Sequence, residues 1–315
     1  MAGALGAPLA AGAQHRRHVA VLYGAPTDAT VGQQRAFEES LGVLGHHIGQ
    51  NLVVTHRGTN ALPEDITKAA RDLIALKPDV IVAWSTVGAV AIKRTLTTLP
   101  VVFLSVGSPV EIGLVSSLAR PGGTMTSVAA AESTEVYGKR LQLLKEILPR
   151  LSRVAVLYAL GDPNAAPALE AIGRIAPSLD LLVYPVAAES PSGLGSAFRW
   201  MKQQGTQGLL VISGGFTWTN RDQIAALALA NSLPSAYAHP DYIASAGLIS
   251  LGNDLIETAH QGALYVDKIL KGAKPADLPV QQPRKYELHI NAKTAKTLDL
   301  TIPPSLLLRA DQVIE

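Results

Sequence analysis

HVAVLYGAPTDAT (residues 18–30) and RVAVLYALGDPNAA (residues 153–166) are the stretches that decide how this chain folds. Each runs through Val, Ala and Leu without alternation, closes on a tyrosine (Tyr23, Tyr158) and breaks into a corner rich in Gly, Pro and Asp. An unalternating apolar run suits a strand buried on both faces, because a parallel sheet covered by helices has no wet side. The corner then lies at the carboxyl end of the strand. VAVLY also fits any generic buried strand, so the echo alone leaves duplication open; two doubly wound lobes are the simplest architecture that accommodates it.

Outward from these stretches the chain repeats one pattern: a short apolar run, a polar or glycine-bearing corner, and a segment of helical spacing. That is the βαβα order of parallel sheets. Strands are expected at 19–23, 52–55, 80–84, 101–105 and 127–131, then at 154–158, 181–186, 208–213, 235–238 and 248–251. Thr30 with Gln33 predicts a capping box, and Ser85 or Thr86 caps a helix over 87–96. Tyr137, Leu141, Leu144 and Leu148 form one stripe of a helix that Pro149 ends and that opens the second lobe.

With 315 residues the chain has room for two domains. A hydrophobic share of 48% excludes a disordered chain, and 5% aromatic residues are few for a protein that stacks nucleic-acid bases. The 27 basic residues barely exceed the 25 acidic ones and are scattered, so nothing demands a nucleic-acid partner. Without cysteine there is no thiol nucleophile, no cysteine zinc site and no lipid-bearing cysteine, and a lipoprotein is not expected. Residues 1–16 open with MAGALGAPLAAGAQ and carry Ala11-Gly12-Ala13 before Gln14. They are expected to be a signal-peptide remnant or a flexible tail.

Enzyme motifs are missing: no GxGxxG follows a strand, and neither a GxxxxGK[ST] loop nor a GxSxG elbow is present. His46 and His47 are neighbours at a Gly45–Gly49 turn and read as surface residues, without the spacing of helical metal ligands. Asp162 and Asp241 stand at strand ends, where turn and cap roles are the ordinary ones. No catalytic residue, metal or cofactor is expected.

In open parallel sheets, ligands bind beyond the carboxyl ends of the strands, where helix N-termini present free N–H groups. In the first half this rule selects Ala25, Thr27 and Asp28, then Trp84, Ser85 and Thr86, then Ser105, Gly107 and Ser108. In the second it selects Tyr158 and Asp162, then Ser213, Gly214 and Phe216, then Tyr237, His239 and Tyr242, with Trp218 a further aromatic face. Hydroxyls beside aromatic rings suit a small ligand with a polar head and a planar body. Ser85 and Thr86 are the sharpest pair, since a hydroxyl and the following helix can hold a carboxylate without an arginine; a plain N-cap is the competing reading. His239 precedes Pro240 at the mouth of a cleft, although loop histidines more often serve structure.

The segments LIALKPDVIVAWSTVGAVAIKRTLTTLPVVFLSVGSPVEIGLVSSLARPGGTMTSV (73–128) and YVDKILKGAKPADLPVQQPRKYELHINAKTAKTLDLTIPPSLLLRADQVIE (265–315) closely resemble the tryptophan/tyrosine-type family of ABC transporter substrate-binding proteins. The resemblance covers about residues 18–315. It implies a type I periplasmic-binding-protein fold, with two Rossmann-like lobes, a central ligand cleft and crossings near 127–133, 248–253 and 279–284. The implied division is 17–131 with 253–280 for one lobe and 132–252 with 281–315 for the other, so that 254–270 is a helix returned to the first. It further implies a periplasmic, secreted, monomeric binder of an aromatic or branched amino acid or an aromatic carboxylate, with ABC permease and ATPase subunits as partners. Tyr158-Ala159-Leu160-Gly161-Asp162 departs from the Asn-Pro corner usual in the family, and GHHIGQN replaces its Gly-Trp turn. A ligand-sensing regulatory domain and a two-lobed isomerase are the alternatives.

Overall fold

A computed structural model describes residues 16–128, 134–283 and 285–315. Strands β1 (Arg17–Tyr23), β2 (Leu52–Arg57), β3 (Val80–Trp84), β4 (Val101–Leu104) and β5 (Met125–Val128) form a parallel sheet in the order β2-β1-β3-β4-β5. A second sheet holds β6 (Arg153–Ala159), β7 (Leu182–Ala188), β8 (Gly208–Val211), β9 (Ser235–Tyr237), β10 (Ile249–Gly252), β11 (Glu287–Asn291) and β12 (Gln312–Ile314). Its order is β12-β11-β10-β9-β8-β6-β7. Reading β7-β6-β8-β9-β10 repeats the order of the first sheet, so the two VAVLY strands occupy equivalent places. In each sheet the winding reverses beside that strand, between β1 and β3 and between β6 and β8. Loops diverge at such a switch point and leave a crevice.

Helices cover both faces. On the first sheet lie α1 (Val31–Val43), α2 (Pro63–Ala75) and α3 (Thr86–Arg94); on the second lie α4 (Thr134–Ile147), α5 (Ala165–Ile175), α6 (Leu194–Gln203), α7 (Gly215–Thr219), α8 (Arg221–Ala230) and α9 (Asp241–Ala244). Helix α10 (Leu255–Leu270) follows β10 yet packs on α1 and on β3, β4 and β5 of the first sheet. Asp254 starts it, its carboxylate accepting the Ile256 N–H at 2.7 Å. Short helices α11 (Ala292–Thr297) and α12 (Pro304–Leu307) close the chain around β11 and β12. One buried apolar cluster extends through both halves, running from Val21, Tyr23 and Trp84 to Phe216, Trp218 and Leu157.

Several expectations are amended. The strand expected at 127–131 begins at Met125, and 129–131 lie outside the described residues, as do 1–15, the rest of the 127–133 crossing, and Arg284. β11 and β12 were not anticipated. The first alternates Glu287 and His289 with Leu288 and Ile290, and its antiparallel pairing is supplied by the open edge of β10. The Thr30 capping box does not form. A 3-10 turn over Asp28–Thr30 precedes α1, so the Thr30 hydroxyl donates back to the Thr27 carbonyl at 3.1 Å.

Candidate ligand-binding cleft

The loops at the carboxyl ends of the two sheets face each other across one cavity. From the first sheet come Tyr23, Gly24 and Ala25 at the end of β1, Trp84, Ser85 and Thr86 at the end of β3, and Ser105 and Gly107 after β4. From the second come Asn164, Ser213, Gly214, Gly215, Trp218 and His239, while Thr30, Gln33 and Leu255 enter from helix starts. The void measures about 590 Å³ with its open mouth, but only a small part of it is wide enough to admit a water molecule. It is a narrow slot.

At its floor Ser85 holds φ 92 and ψ 156, a backbone region that side chains seldom adopt. Two bonds maintain it: the Ser85 N–H donates to the Leu104 carbonyl at 3.0 Å, and its hydroxyl accepts the Gly88 N–H at 3.4 Å. Ser85 thereby caps α3 and leaves the N–H groups of Thr86 and Val87 without partners inside the helix. The Thr86 hydroxyl accepts the Gly107 N–H at 3.4 Å and ties the β3 and β4 loops together. Ser105 and Ser108 also have positive φ, 53 and 45, so strain gathers at this end of the sheet.

Aromatic rings form the walls. Tyr23 stacks between Trp84 and His56, both centroids 5.8 Å away, because β1, β3 and β2 are neighbours. The Tyr23 hydroxyl lies 3.2 Å from His56 Nδ1, and His56 Nε2 lies 2.7 Å from Glu38. Burial, and secondarily the Glu38 charge, push the Tyr23 phenol far up, so it stays neutral. Across the cleft, Trp218 donates its indole N–H to Asp241 at 3.0 Å, and the Arg221 guanidinium lies 4.6 Å from its ring centroid. Each tryptophan therefore has one face already covered.

Of the residues selected by strand-end position, Ala25, Trp84, Ser85, Thr86, Ser105, Gly107, Ser213, Gly214 and His239 line the cavity. The others do not. Thr27 accepts the Gly58 N–H, and Asp28 is exposed and bonds the Ala29 N–H. Ser108 lies one residue past the wall, and Tyr158 remains half-buried on β6. Asp162 turns its own corner, accepting the Asn164 N–H at 2.9 Å, and Phe216 packs in the core. Tyr237 and Tyr242 stack on each other at 4.3 Å, fully buried. Trp218, the further aromatic face, lines the cavity too, whereas seven lining residues were not singled out: Tyr23, Gly24, Thr30, Gln33, Asn164, Gly215 and Leu255. Tyr23 and Gly24 stood in the opening motif itself, whereas Gln33 and Leu255 carry no local signal. His46 is corrected as well: expected on the surface, it is half-buried and sits 2.8 Å from the carboxylate of Asp267. Among the described residues no cluster suited to a metal occurs.

The model of one family, ABC transporter substrate binding protein, matches residues 18–314. The chain belongs to this family. This ABC substrate-binding protein is 24% identical over 268 residues to the tyrosine-binding protein of Clostridioides difficile, covering 85% of this chain and 76% of that one. Its structure resembles a conserved domain protein of Vibrio cholerae with TM-score 0.88 and 26% identity, over 94% of this chain and 99% of that one. It also resembles an ABC domain from Streptococcus pneumoniae solved in complex with L-Trp, with TM-score 0.86 and 22% identity, over 95% and 100%. The fold is the two-lobed α/β fold of type I periplasmic binding proteins. No helix among the described residues is long and apolar enough to cross a membrane.

Proposed function

We propose that this substrate-binding protein captures a small ligand with a planar aromatic body and a carboxylate head, and delivers it unchanged to the permease and ATPase of an ABC importer outside the cytoplasm. The observation that carries the reading is the pairing of Trp84 and Trp218 from opposite sheets in one narrow slot beside the start of α3. A flat ring entering the slot would gain aromatic contact with them beside the contacts they already make with Tyr23 and Arg221. The Thr86 and Val87 N–H groups, with the hydroxyls of Ser85 and Thr86, suit the carboxylate. Ser105, Ser213, Asn164 and His239 supply further polar contacts. The lobes would be 17–131 with 253–280 and 132–252 with 281–315, and closure would bring the two halves of the site together. No reacting group or cofactor is needed for this. The tyrosine-binding and L-Trp-bound relatives support an aromatic amino acid; an aromatic carboxylate meets the same requirements.

Calorimetry with L-tryptophan, L-tyrosine and 3-(indol-3-yl)propionate tests the proposal. Binding of at least one is expected, with Trp84→Ala weakening it about tenfold or more, the loss of one stacking face (about 1–1.5 kcal/mol) plus buried area. Absence of heat and of thermal stabilisation across the panel would refute it.

A further inference from the structure

Gly215 and Gly107 meet the opposite half of the molecule through bare backbone. A Cβ built on Gly215 would overlap the carbonyl oxygen of Gly24, come within 3.0 Å of its carbon and lie 3.3 Å from the Ala61 Cβ. Gly24 follows β1, while Gly215 opens α7 after β8 of the other sheet. A Cβ on Gly107, beyond β4, would stand 2.6 Å from Cγ and 2.7 Å from Nδ2 of Asn164, which lies between β6 and α5. Such separations are closer than carbon atoms tolerate, so at these two points the loops of the two sheets touch with nothing between them. Neither glycine has a positive φ. Glycine is required at both by space rather than by backbone conformation.

We infer that these two contacts are the stop that sets how far the lobes close, and with it the thickness of ligand the closed cleft accepts. The inference rests on the proposed capture of a flat aromatic ligand. Because each stop has a bare glycine on one side, the lobes approach more closely than any side chain there would allow, and a thin, flat ring suits the slot that is left better than a puckered or branched body. A methyl group at either position becomes a spacer. It leaves each lobe intact, holds the closed form apart, and lowers apparent affinity in proportion to the closed population that remains. The contacts differ in what relieves them. At 107 the obstacle is the Asn164 amide, a side chain that truncation removes; at 215 it is a main-chain carbonyl that no side-chain change removes.

The test compares wild type, Gly215→Ala, Gly107→Ala, Asn164→Ala and Gly107→Ala/Asn164→Ala. Calorimetry uses whichever of L-tryptophan and 3-(indol-3-yl)propionate wild type binds more tightly. A second readout is the distance between spin labels on Leu96→Cys and Leu182→Cys, both exposed positions in a chain without native cysteine. Each glycine variant should melt within a few degrees of wild type without ligand, yet lose affinity at least tenfold together with the ligand-induced change in label distance. On the Asn164→Ala background, adding Gly107→Ala should cost less than threefold. Wild-type affinity and closure in Gly215→Ala overturn the stop and leave the aromatic reading standing, as does a Gly107→Ala loss undiminished on the Asn164→Ala background. If Gly215→Ala impairs folding, the 107/164 cycle decides. If wild type binds neither probe, the aromatic reading fails and the stop falls with it.

Discussion

Asp267 shows at residue scale how a side chain far from the cleft ties the fold together. Its carboxylate lies 2.8 Å from both His46 and Lys271, joining the loop after α1 to the end of α10. Burial pushes its pKa up, but the hydrogen bonds and charges of Lys271 and His46 outweigh that and hold it below the ordinary carboxylate range. A depressed folded pKa contributes stability above the unfolded value, and the contribution disappears as pH falls through the folded one. Asp267→Asn should therefore melt below wild type at pH 6, by roughly 1–2 kcal/mol, and the gap should narrow as pH falls below the unfolded pKa, about 4, towards 3. Thermal melts across that window check it; a gap that stays constant would contradict the assignment. Residues of this kind are poorly legible in a sequence, because His46 and Asp267 are brought together only by the packing of α1 on α10. Ser85 and Thr86 were legible, since a hydroxyl at a strand end adjoining a helix start announces its position locally. Tyr237 and Tyr242 followed the same positional rule, yet their mutual stacking draws both rings into the core.

At the scale of elements, α4 was readable from spacing alone. Tyr137, Leu141 and Leu144 are buried, Leu148 is half-buried just past the helix end at Ile147, and the stripe packs on β8, β9 and β10. Leu141→Ala leaves a cavity at a fully buried position and should cost about 2–5 kcal/mol. Denaturant unfolding measures this, and a loss under about 1 kcal/mol would mean that the helix does not carry the core assigned to it. β11 and β12 lie at the other extreme. ELHIN mixes charge with apolar residues, and Gln312–Ile314 is only three residues long, so neither is a convincing strand until β10 offers its edge to β11 and β11 in turn offers its own to β12. A chain ended after Lys285 would lose Leu288, Ile290, Ile302 and Leu306 from the second core. It should show a lower or split melting transition and bind a dye for exposed apolar surface, whereas an unchanged melt would make β11 and β12 dispensable.

For the whole molecule, the repeated order β2-β1-β3-β4-β5 and β7-β6-β8-β9-β10 explains why there is one cleft and why it lies where it does. Each sheet has its switch point beside its VAVLY strand, and the two crevices face each other. The sequence by itself determined the alternation of strands and helices, the two doubly wound halves and the carboxyl-end loops, because burial on two faces and helix starts leave local, periodic marks. It also determined family membership, through long stretches such as SLARPGG and the C-terminal segment. Only the tertiary structure decided which loop residues look into the cleft. Gln33, Asn164 and Leu255 reach it from three separate helix starts, Tyr237 turns away from it, and Gly215 meets Gly24 across it. Those outcomes depend on how two lobes are set against each other, a relation between segments far apart in the chain that no local pattern of residues encodes.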